Sequence, residues 1–361
     1  MVVFMKKKEM LYLMGIDWNW IYQRPQILAD MLCKDYQLTV IFPRSILKSK
    51  AAPPNQPGME FHILWTIPYQ EKNRLIGKIS ALLNTNLFRN INRYQYVFIG
   101  YPLYARYIPD SYQGCIIYDC MDNHESLYPD QRRVANVLTQ EVKLIRKSRL
   151  LTVSSELLQK KMDSIAGYSK SVLIRNGTVL QDIHDIAYPI PKKRHLLGYI
   201  GTISSWFDFA LLGNSLKAVP EIEYHLIGPM AVKNLSVTGI IYHEPVPHDM
   251  LWDSVKEYDC LIMPFIVNDI VSSVDPVKLY EYIAFGKCII SVYYPEIEHF
   301  RDFVYFYNNE NEYINLLLSL KEREFPPKYN KEQQQSFLNR NTWEKRYEQI
   351  KKGLEELKDE C

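Results

Sequence analysis

The sequence predicts an α/β protein built from two Rossmann-like, doubly wound domains that face a cleft. Three observations predict it. Short apolar strands alternate with helical patterns along nearly the whole chain, the signature of parallel sheets with crossover helices. The same rhythm restarts in the second half at His195. Between the halves lies Asp185 to Arg194, whose two prolines and basic run read as a linker. A length of 361 residues also suggests about two domains. The expected division is residues 1–180, a linker at 181–194, a second domain at 195–338 and a C-terminal helix at 339–361 packing back towards the first domain.

In the first half, strands are expected at Leu11–Ile16, Leu38–Phe42, Tyr96–Gly100, Cys115–Asp119, Leu150–Val153 and Val172–Ile174. Helices are expected at Pro25–Cys33, Asp130–Lys147 and Ser154–Ile165, with Ser154 as a natural N-cap. In the second half, His195–Gly201, Ile222–Ile227 and Cys260–Pro264 read as strands. Phe207–Ala218, Met250–Glu257, Asn311–Lys321 and Thr342–Lys358 read as helices. Open parallel sheets bind ligands beyond the carboxyl ends of their strands, and domain interfaces are favoured ligand sites.

Composition narrows the class. Hydrophobic residues make up 47% and charged residues 23%, as in ordinary globular protein. A net charge of +2 is too small to imply a nucleic-acid partner. The six cysteines form no Cys-x-x-Cys and read as buried thiols of a reducing compartment. The apolar run from Met10 to Ile16 is short, ends in Asp17 and has no small-residue cleavage site, so a first strand is expected rather than a signal peptide. No run reaches the roughly 20 apolar residues that span a bilayer. The expected location is cytoplasmic, with peripheral contact at the membrane surface open.

The most informative segment runs from Asp275 to Ser291. Asp275 suits an N-cap, Pro276 a first helical turn and Gly286 a left-handed C′ position. Val277, Tyr280, Ile283 and Ala284 form one apolar face, and Cys288–Val292 reads as a buried strand. Lys278 and Glu281 then sit one turn apart near the positive end of the helix. Such a pair can hold a phosphate and a ribose, or can be an ordinary surface ion pair.

Several segments together resemble a known family. Asp17 to Ala29 resembles the start of nucleotide-sugar-dependent glycosyltransferases of the two-Rossmann GT-B fold, and Tyr118 to Asn123 the end of their fourth strand. Leu151 to Ser155 followed by Ile174 to Thr178 resembles their route into the second domain. Tyr199 to Ile203 resembles the first strand and loop of the nucleotide-binding domain, and Asp275 to Gly286 the donor-binding helix. The likeness is to the large retaining family that includes capsule, teichuronic-acid and exopolysaccharide transferases.

That resemblance implies transfer of a sugar from a nucleotide diphosphate to a glycan or lipid-linked acceptor, with retention of anomeric configuration. It implies no metal and no cofactor beyond the donor, with UDP ahead of GDP. It places Glu281 on the ribose, Gly201 and Thr202 at the diphosphate, and the stretch from Tyr242 to Val246 at the base. Lys278 is the candidate phosphate cation. The family's helix carries a glutamate eight positions before Glu281; here that position is Ser273, and the amides near Ser272 and Ser273 are expected to substitute. The family's basic residues after the first strand are replaced by Ser204 to Asp208, which leaves neutralisation to Lys278, backbone amides or Arg24.

Other residues have two readings each. Asp122 and His124 follow a strand end, where a catalytic group would meet the sugar or helix capping would suffice. Arg24 and Trp18 suit the acceptor or phosphate side, or are an ordinary surface arginine and a core tryptophan. Asn176 contacts the donor or stabilises a hinge turn. The stretch from Glu71 to Arg93 is basic and amphipathic, fit for an anionic membrane surface or for a helix with a core face. Domain closure would exclude water from the reaction. The rival functions are a nucleotide-sugar epimerase on the same scaffold and a two-lobed binding protein without catalysis.

Overall fold

A computed structural model describes residues 7–48, 54–179, 183–186, 190–232, 237–247 and 250–357. Part of the expected linker, residues 181–182 and 187–189, lies outside the described residues. The chain divides into two compact units, Met1–Arg175 with Glu344–Cys361, and Asn176–Trp343. The division thus falls at residue 176, ahead of the proline-containing stretch that reads as a linker.

The first unit is a parallel sheet of seven strands in the order β3-β2-β1-β4-β5-β6-β7. These are β1 (Glu9–Leu13), β2 (Gln37–Ser45), β3 (Met59–Thr66), β4 (Tyr96–Ile99), β5 (Cys115–Cys120), β6 (Leu150–Val153) and β7 (Ser171–Leu173). The sequence runs from β1 outward in one direction, then returns to pair β4 against the other side of β1. The helices are α1 (Arg24–Asp35), α2 (Arg74–Leu83), α3 (Gln131–Lys147), α4 (Glu156–Ala166) and the terminal α10 (Trp343–Glu356). The inner strands are buried and largely apolar on both faces because helices cover both. On α10, Tyr347 donates to Asp35 at 2.8 Å and Lys351 pairs with the same carboxylate at 3.0 Å.

The second unit repeats the plan with six strands, β10-β9-β8-β11-β12-β13. They are β8 (His195–Ile200), β9 (Ile222–Ile227), β10 (Ile240–His243), β11 (Cys260–Met263), β12 (Cys288–Val292) and β13 (Tyr305–Tyr307). Its helices are α5 (Phe209–Ala218), α6 (Leu251–Val255), α7 (Val277–Ala284), α8 (Glu310–Lys321) and α9 (Lys331–Arg340). Asp208 caps α5 by accepting from Leu211 N–H at 2.9 Å, so that helix starts two residues later than expected. Ser155, not Ser154, caps α4; the Ser154 hydroxyl donates to the Met121 carbonyl instead.

Two further expectations need correction. Asp275 does not cap α7. The N-cap residue is Pro276, and the Asp275 carboxylate turns inward to accept from Asn176 N–H at 2.6 Å and from Tyr280 at 3.2 Å. The amphipathic stretch after Glu71 is not one helix but α2 followed by short 3-10 turns at Thr85–Phe88 and Ile91–Arg93.

A buried ion pair braces the first sheet. Arg24 is 4% exposed, and its guanidinium grips Asp119 through two bonds of 2.9 and 2.7 Å. The third nitrogen donates to the Ile174 carbonyl at 2.9 Å, and Thr152 donates to Asp119 at 2.7 Å. The network links α1, β5, β6 and the segment after β7. Removing one partner would strand the other charge in the core. Arg24→Ala is therefore expected to destabilise the protein by about 3–5 kcal/mol. Chemical denaturation checks it; a loss within about 0.5 kcal/mol, the range of a surface substitution, would contradict the bracing role.

Candidate functional site

In the second sheet the chain leaves β8 in one direction to β9 and comes back to β11 on the other side. Such a reversal opens a crevice at the carboxyl end of the central strand. Gly201 and Thr202 lie there, directly after β8. Gly201 has φ +136°, a backbone state that side chains resist. A Cβ on Gly201 would also lie 2.7 Å from Lys278 Nζ and collide with Lys278 Cε. The ammonium therefore rests against bare backbone at the strand end. Gly228, after β9, has φ +138° and packs on the Gly201 carbonyl group; a Cβ on Gly228 would lie 2.8 Å from that carbonyl carbon.

Helix α7 is fixed to this corner. The Tyr282 hydroxyl accepts from the buried Ile200 N–H of β8 at 3.0 Å. The Tyr199 hydroxyl donates to the Thr202 carbonyl at 3.0 Å, and the Lys278 ammonium lies 5.8 Å from the Tyr199 ring centre. Among the described residues, no side chain caps α7. Its first turn thus adds the positive end of the helix to the same corner as the lysine. Lys278 is half-buried; burial pulls its pKa below the ordinary lysine value, and Glu281 one turn on pushes back. A desolvated cation of this kind gains by pairing with an anion.

In the first sheet the corresponding reversal lies between β2 and β4, on either side of β1. A cavity of about 550 Å³ opens at the carboxyl ends of these strands, lined by Gly15, Ser45, Thr66, Gly100 and Asp122 among others. Its wall is aromatic and charged. Glu71 pairs with Arg133, whose guanidinium lies 3.5 Å from the Tyr128 ring centre. The Tyr128 hydroxyl bonds that of Tyr101 at 3.2 Å, and Tyr101 donates to Glu71 at 3.3 Å. Burial, and then the charge of Asp119, raises the pKa of Asp122 above the ordinary aspartate value.

No protein-family model matches the sequence. The chain is 27% identical over 229 residues to a protein of Bacillus subtilis (strain 168) provisionally named as the teichuronic acid biosynthesis glycosyltransferase TuaH, which is 55% of each chain. It therefore matches about half the length of this curated relative. Solved structures agree over nearly everything. Sucrose-phosphate synthase of Thermosynechococcus elongatus superposes with a TM-score of 0.74 at 11% identity, covering 98% of this chain and 100% of that one. Anabaena HepE in complex with UDP-glucose gives 0.67 at 13% identity, with 97% and 100% covered. The galactosyltransferase WaaB of the lipopolysaccharide outer core gives 0.66 at 9%, with 96% and 99% covered. The chain has the GT-B fold.

On this GT-B frame, the residues singled out in the sequence fall into two groups. Gly201, Thr202, Lys278 and Glu281 belong to one corner. Asp122 stands alone in the cavity of the first unit. The rest are placed otherwise. Ser273 is buried and its hydroxyl donates to the Ile270 carbonyl at 2.8 Å. The amides of Ser272 and Ser273 are bonded to Asn268 and Ile270 within a 3-10 turn, so the expected substitute for a missing glutamate is engaged internally. Asn176 donates its side-chain amide to the Asp275 carbonyl at 2.6 Å and so holds the entry to α7. Arg24 is occupied by Asp119 in the core and not presented as a phosphate cation. Trp18 packs edge-on against Phe61, and its carbonyl accepts from Gln26. His124 is 5% exposed, outside the lining of the cavity, with burial pulling its pKa down to about 3.

Sequence reasoning missed Gly228, Glu71, Arg133 and the tyrosine wall. Gly228 could have been found, since Ile227-Gly228-Pro229 ends a strand as Gly201 does. The others come from separate elements and left no linear signal.

The corner makes a titration prediction. Lys278 loses its proton as pH rises through its lowered pKa, so affinity for a nucleoside diphosphate is expected to fall across that alkaline range. Lys278→Arg should bind without that fall, because arginine stays charged. Calorimetric titration with UDP from pH 7 upward checks it. A wild-type profile parallel to that of Lys278→Arg would remove Lys278 from the anion site.

Proposed function

We propose that this protein is a glycosyltransferase that moves a sugar from a nucleoside-diphosphate donor to a glycan or lipid-linked acceptor in cell-surface polysaccharide synthesis. The observation that carries this reading is the Lys278 ammonium packed on the Gly201 turn beside the uncapped start of α7. As the donor's glycosidic bond breaks, negative charge grows on the departing diphosphate. A fixed cation and helix N–H groups at that point favour the transition state over the ground state. Glu281 takes the ribose hydroxyls. UDP is the proposed nucleotide, which the HepE complex with UDP-glucose supports by fold. Retention of anomeric configuration belongs to the same proposal.

The acceptor lies in the cavity of the first unit. Its tyrosine faces suit sugar rings, and Asp122, which lines the same cavity, is the proposed partner of the acceptor hydroxyl. A carboxyl with a raised pKa suits proton exchange with that hydroxyl. The reaction takes place at the cytoplasmic membrane surface.

Helix α2 supports that location. Its inward side carries Gly77, Ser80 and Asn84, which meet Gln70 and Trp65. Its outward side therefore carries the apolar residues: Leu75 is 66% exposed and Leu82 74%. Arg74 and Lys78 are exposed on the same helix, and Tyr69 projects just before it. Exposed leucines interleaved with cations fit the headgroup region of an anionic bilayer. Among the described residues, no helix is long and apolar enough to cross a membrane.

Two measurements test these assignments. With a UDP-sugar and a lipid-linked glycan acceptor, Asp122→Asn should lower turnover by about 10²–10⁴-fold while leaving UDP affinity unchanged. The wild-type rate should fall on its acid side above the ordinary aspartate pKa of about 3.9, and that limb should vanish in the variant. Unchanged turnover would remove Asp122, and epimerised donor without a transferred product would replace the transferase reading. Flotation with phosphatidylglycerol vesicles should retain the wild type and lose Leu75→Ser/Leu82→Ser by at least about tenfold, given about 1.5–3 kcal/mol per buried leucine. Equal flotation of both would contradict membrane docking by α2.

A further inference from the structure

In the first unit, the structure brings together three side chains from separate segments. Cys120 ends β5, His124 lies in the turn after it, and Glu141 faces them from α3. One ligand atom from each lies within 4.8 Å of the other two, and all three side chains are buried. We propose that this cluster is a structural binding site for a divalent transition-metal ion of the zinc class.

The argument starts from unpaired polar atoms. Among the described residues, neither ring nitrogen of His124 has a hydrogen-bond partner, although the residue is 5% exposed. A neutral imidazole always carries one N–H and one lone pair, so both are idle in the core. Buried polar atoms without partners are rare in folded proteins and call for an ion or a water. The second carboxylate oxygen of Glu141 is also buried and unpartnered, while its first accepts from Tyr118 at 2.6 Å. The Cys120 thiol makes long contacts, to the Asp122 carbonyl at 3.6 Å and to the same Glu141 carboxylate at 4.0 Å, with Tyr118 also beside it.

A metal ion resolves these together. Thiolate, imidazole and carboxylate form a mixed set that zinc accepts, and three protein ligands leave room for one more oxygen. Binding a divalent cation displaces the thiol proton to solvent, so thiolate and carboxylate neutralise the ion between them. Tyr118 then serves as the outer hydrogen-bond partner that orients the glutamate. The Tyr101 ring packs edge-on against the His124 ring, with centroids 5.5 Å apart. The nearby cation, Lys161, is drawn off by Glu125 at 2.9 Å and Asn123 at 2.6 Å.

A second group of potential ligands makes a contrast. Asp275, Glu296 and His299 also converge, but Asp275 already accepts from Asn176 and Tyr280, and His299 Nδ1 meets the Glu296 carbonyl. Those groups are partnered within the protein. The Cys120 site differs in having idle donor atoms pointed at one another. Its role would be positional. Cys120 and His124 flank Asp122 in sequence, so an ion holding both fixes the turn that presents Asp122 to the cavity.

Metal content of untagged protein, produced in zinc-supplemented medium and dialysed, tests the site. Wild type and the control Cys260→Ser should retain about one zinc per chain, whereas Cys120→Ser and Glu141→Gln should lose most of it. Cobalt substituted for zinc should give a thiolate-to-cobalt charge-transfer band in wild type that disappears in Cys120→Ser. Glu141→Gln preserves size and the Tyr118 contact, which covers the case in which Cys120→Ser fails to fold. Wild type without zinc or a cobalt band overturns the proposal. So does metal that survives both substitutions.

Discussion

The placement of Lys278 against the Gly201 backbone is the contact on which the functional account depends. It requires three conditions at once. Gly201 must have no side chain, because a Cβ would occupy the space of the lysine stem. Gly228 must have none either, because it packs on the Gly201 carbonyl. Helix α7 must be held at one height along β8, which the Tyr282 hydroxyl achieves by taking the Ile200 N–H. Asp275 secures the entry of that helix from the other end, through Asn176 and Tyr280. A cation is thereby delivered to a strand end, beside an open helix terminus, at the point where the sheet reverses direction. Packing rather than charge fixes its position, and the desolvation this entails is what lowers its pKa.

The first unit shows the opposite use of buried charge. Arg24 and Asp119 satisfy one another in the core and gain further bonds from Thr152 and the Ile174 carbonyl. A guanidinium so occupied gives rigidity and no binding capacity. Asp122, three residues along from Asp119, is left to face the cavity, and the neighbouring negative charge helps to raise its pKa. A strand end thus separates a carboxylate buried in an ion pair from one that lines the cavity. The same unit reverses the usual logic of an amphipathic helix. Gly77, Ser80 and Asn84 let α2 sit close to the Gln70 and Trp65 backbone, and this turns its leucines outward.

Much of this architecture was legible in the sequence. Inner strands such as β5 and β12 are fully buried, largely apolar runs broken by Asp119 and Ser291, and their helices carry clear periodicity. The strands that escaped notice, β3, β10 and β13, all lie at sheet edges. Edge strands have one paired side, and polar residues such as Glu60 and His62 interrupt their pattern. The Lys278 and Glu281 pair was legible because both lie on one helix with strong flanking signals. Asp275 misled because its residue type suits a cap, yet a better-buried set of donors was available in Asn176 and Tyr280. Arg24 misled for a related reason: a sequence shows a cation but not the carboxylate ninety-five residues away that occupies it. Glu71, Arg133, Tyr101 and Tyr128 meet only after folding, so no linear motif could have announced them.

A crystal structure with a bound UDP-sugar tests the central claim most directly. The account predicts the diphosphate against the Gly201–Thr202 turn, with Lys278 Nζ within hydrogen-bond distance of a phosphate oxygen and Glu281 on the ribose. Diphosphate density elsewhere, with Lys278 still packed over Tyr199 and away from any phosphate, would contradict it.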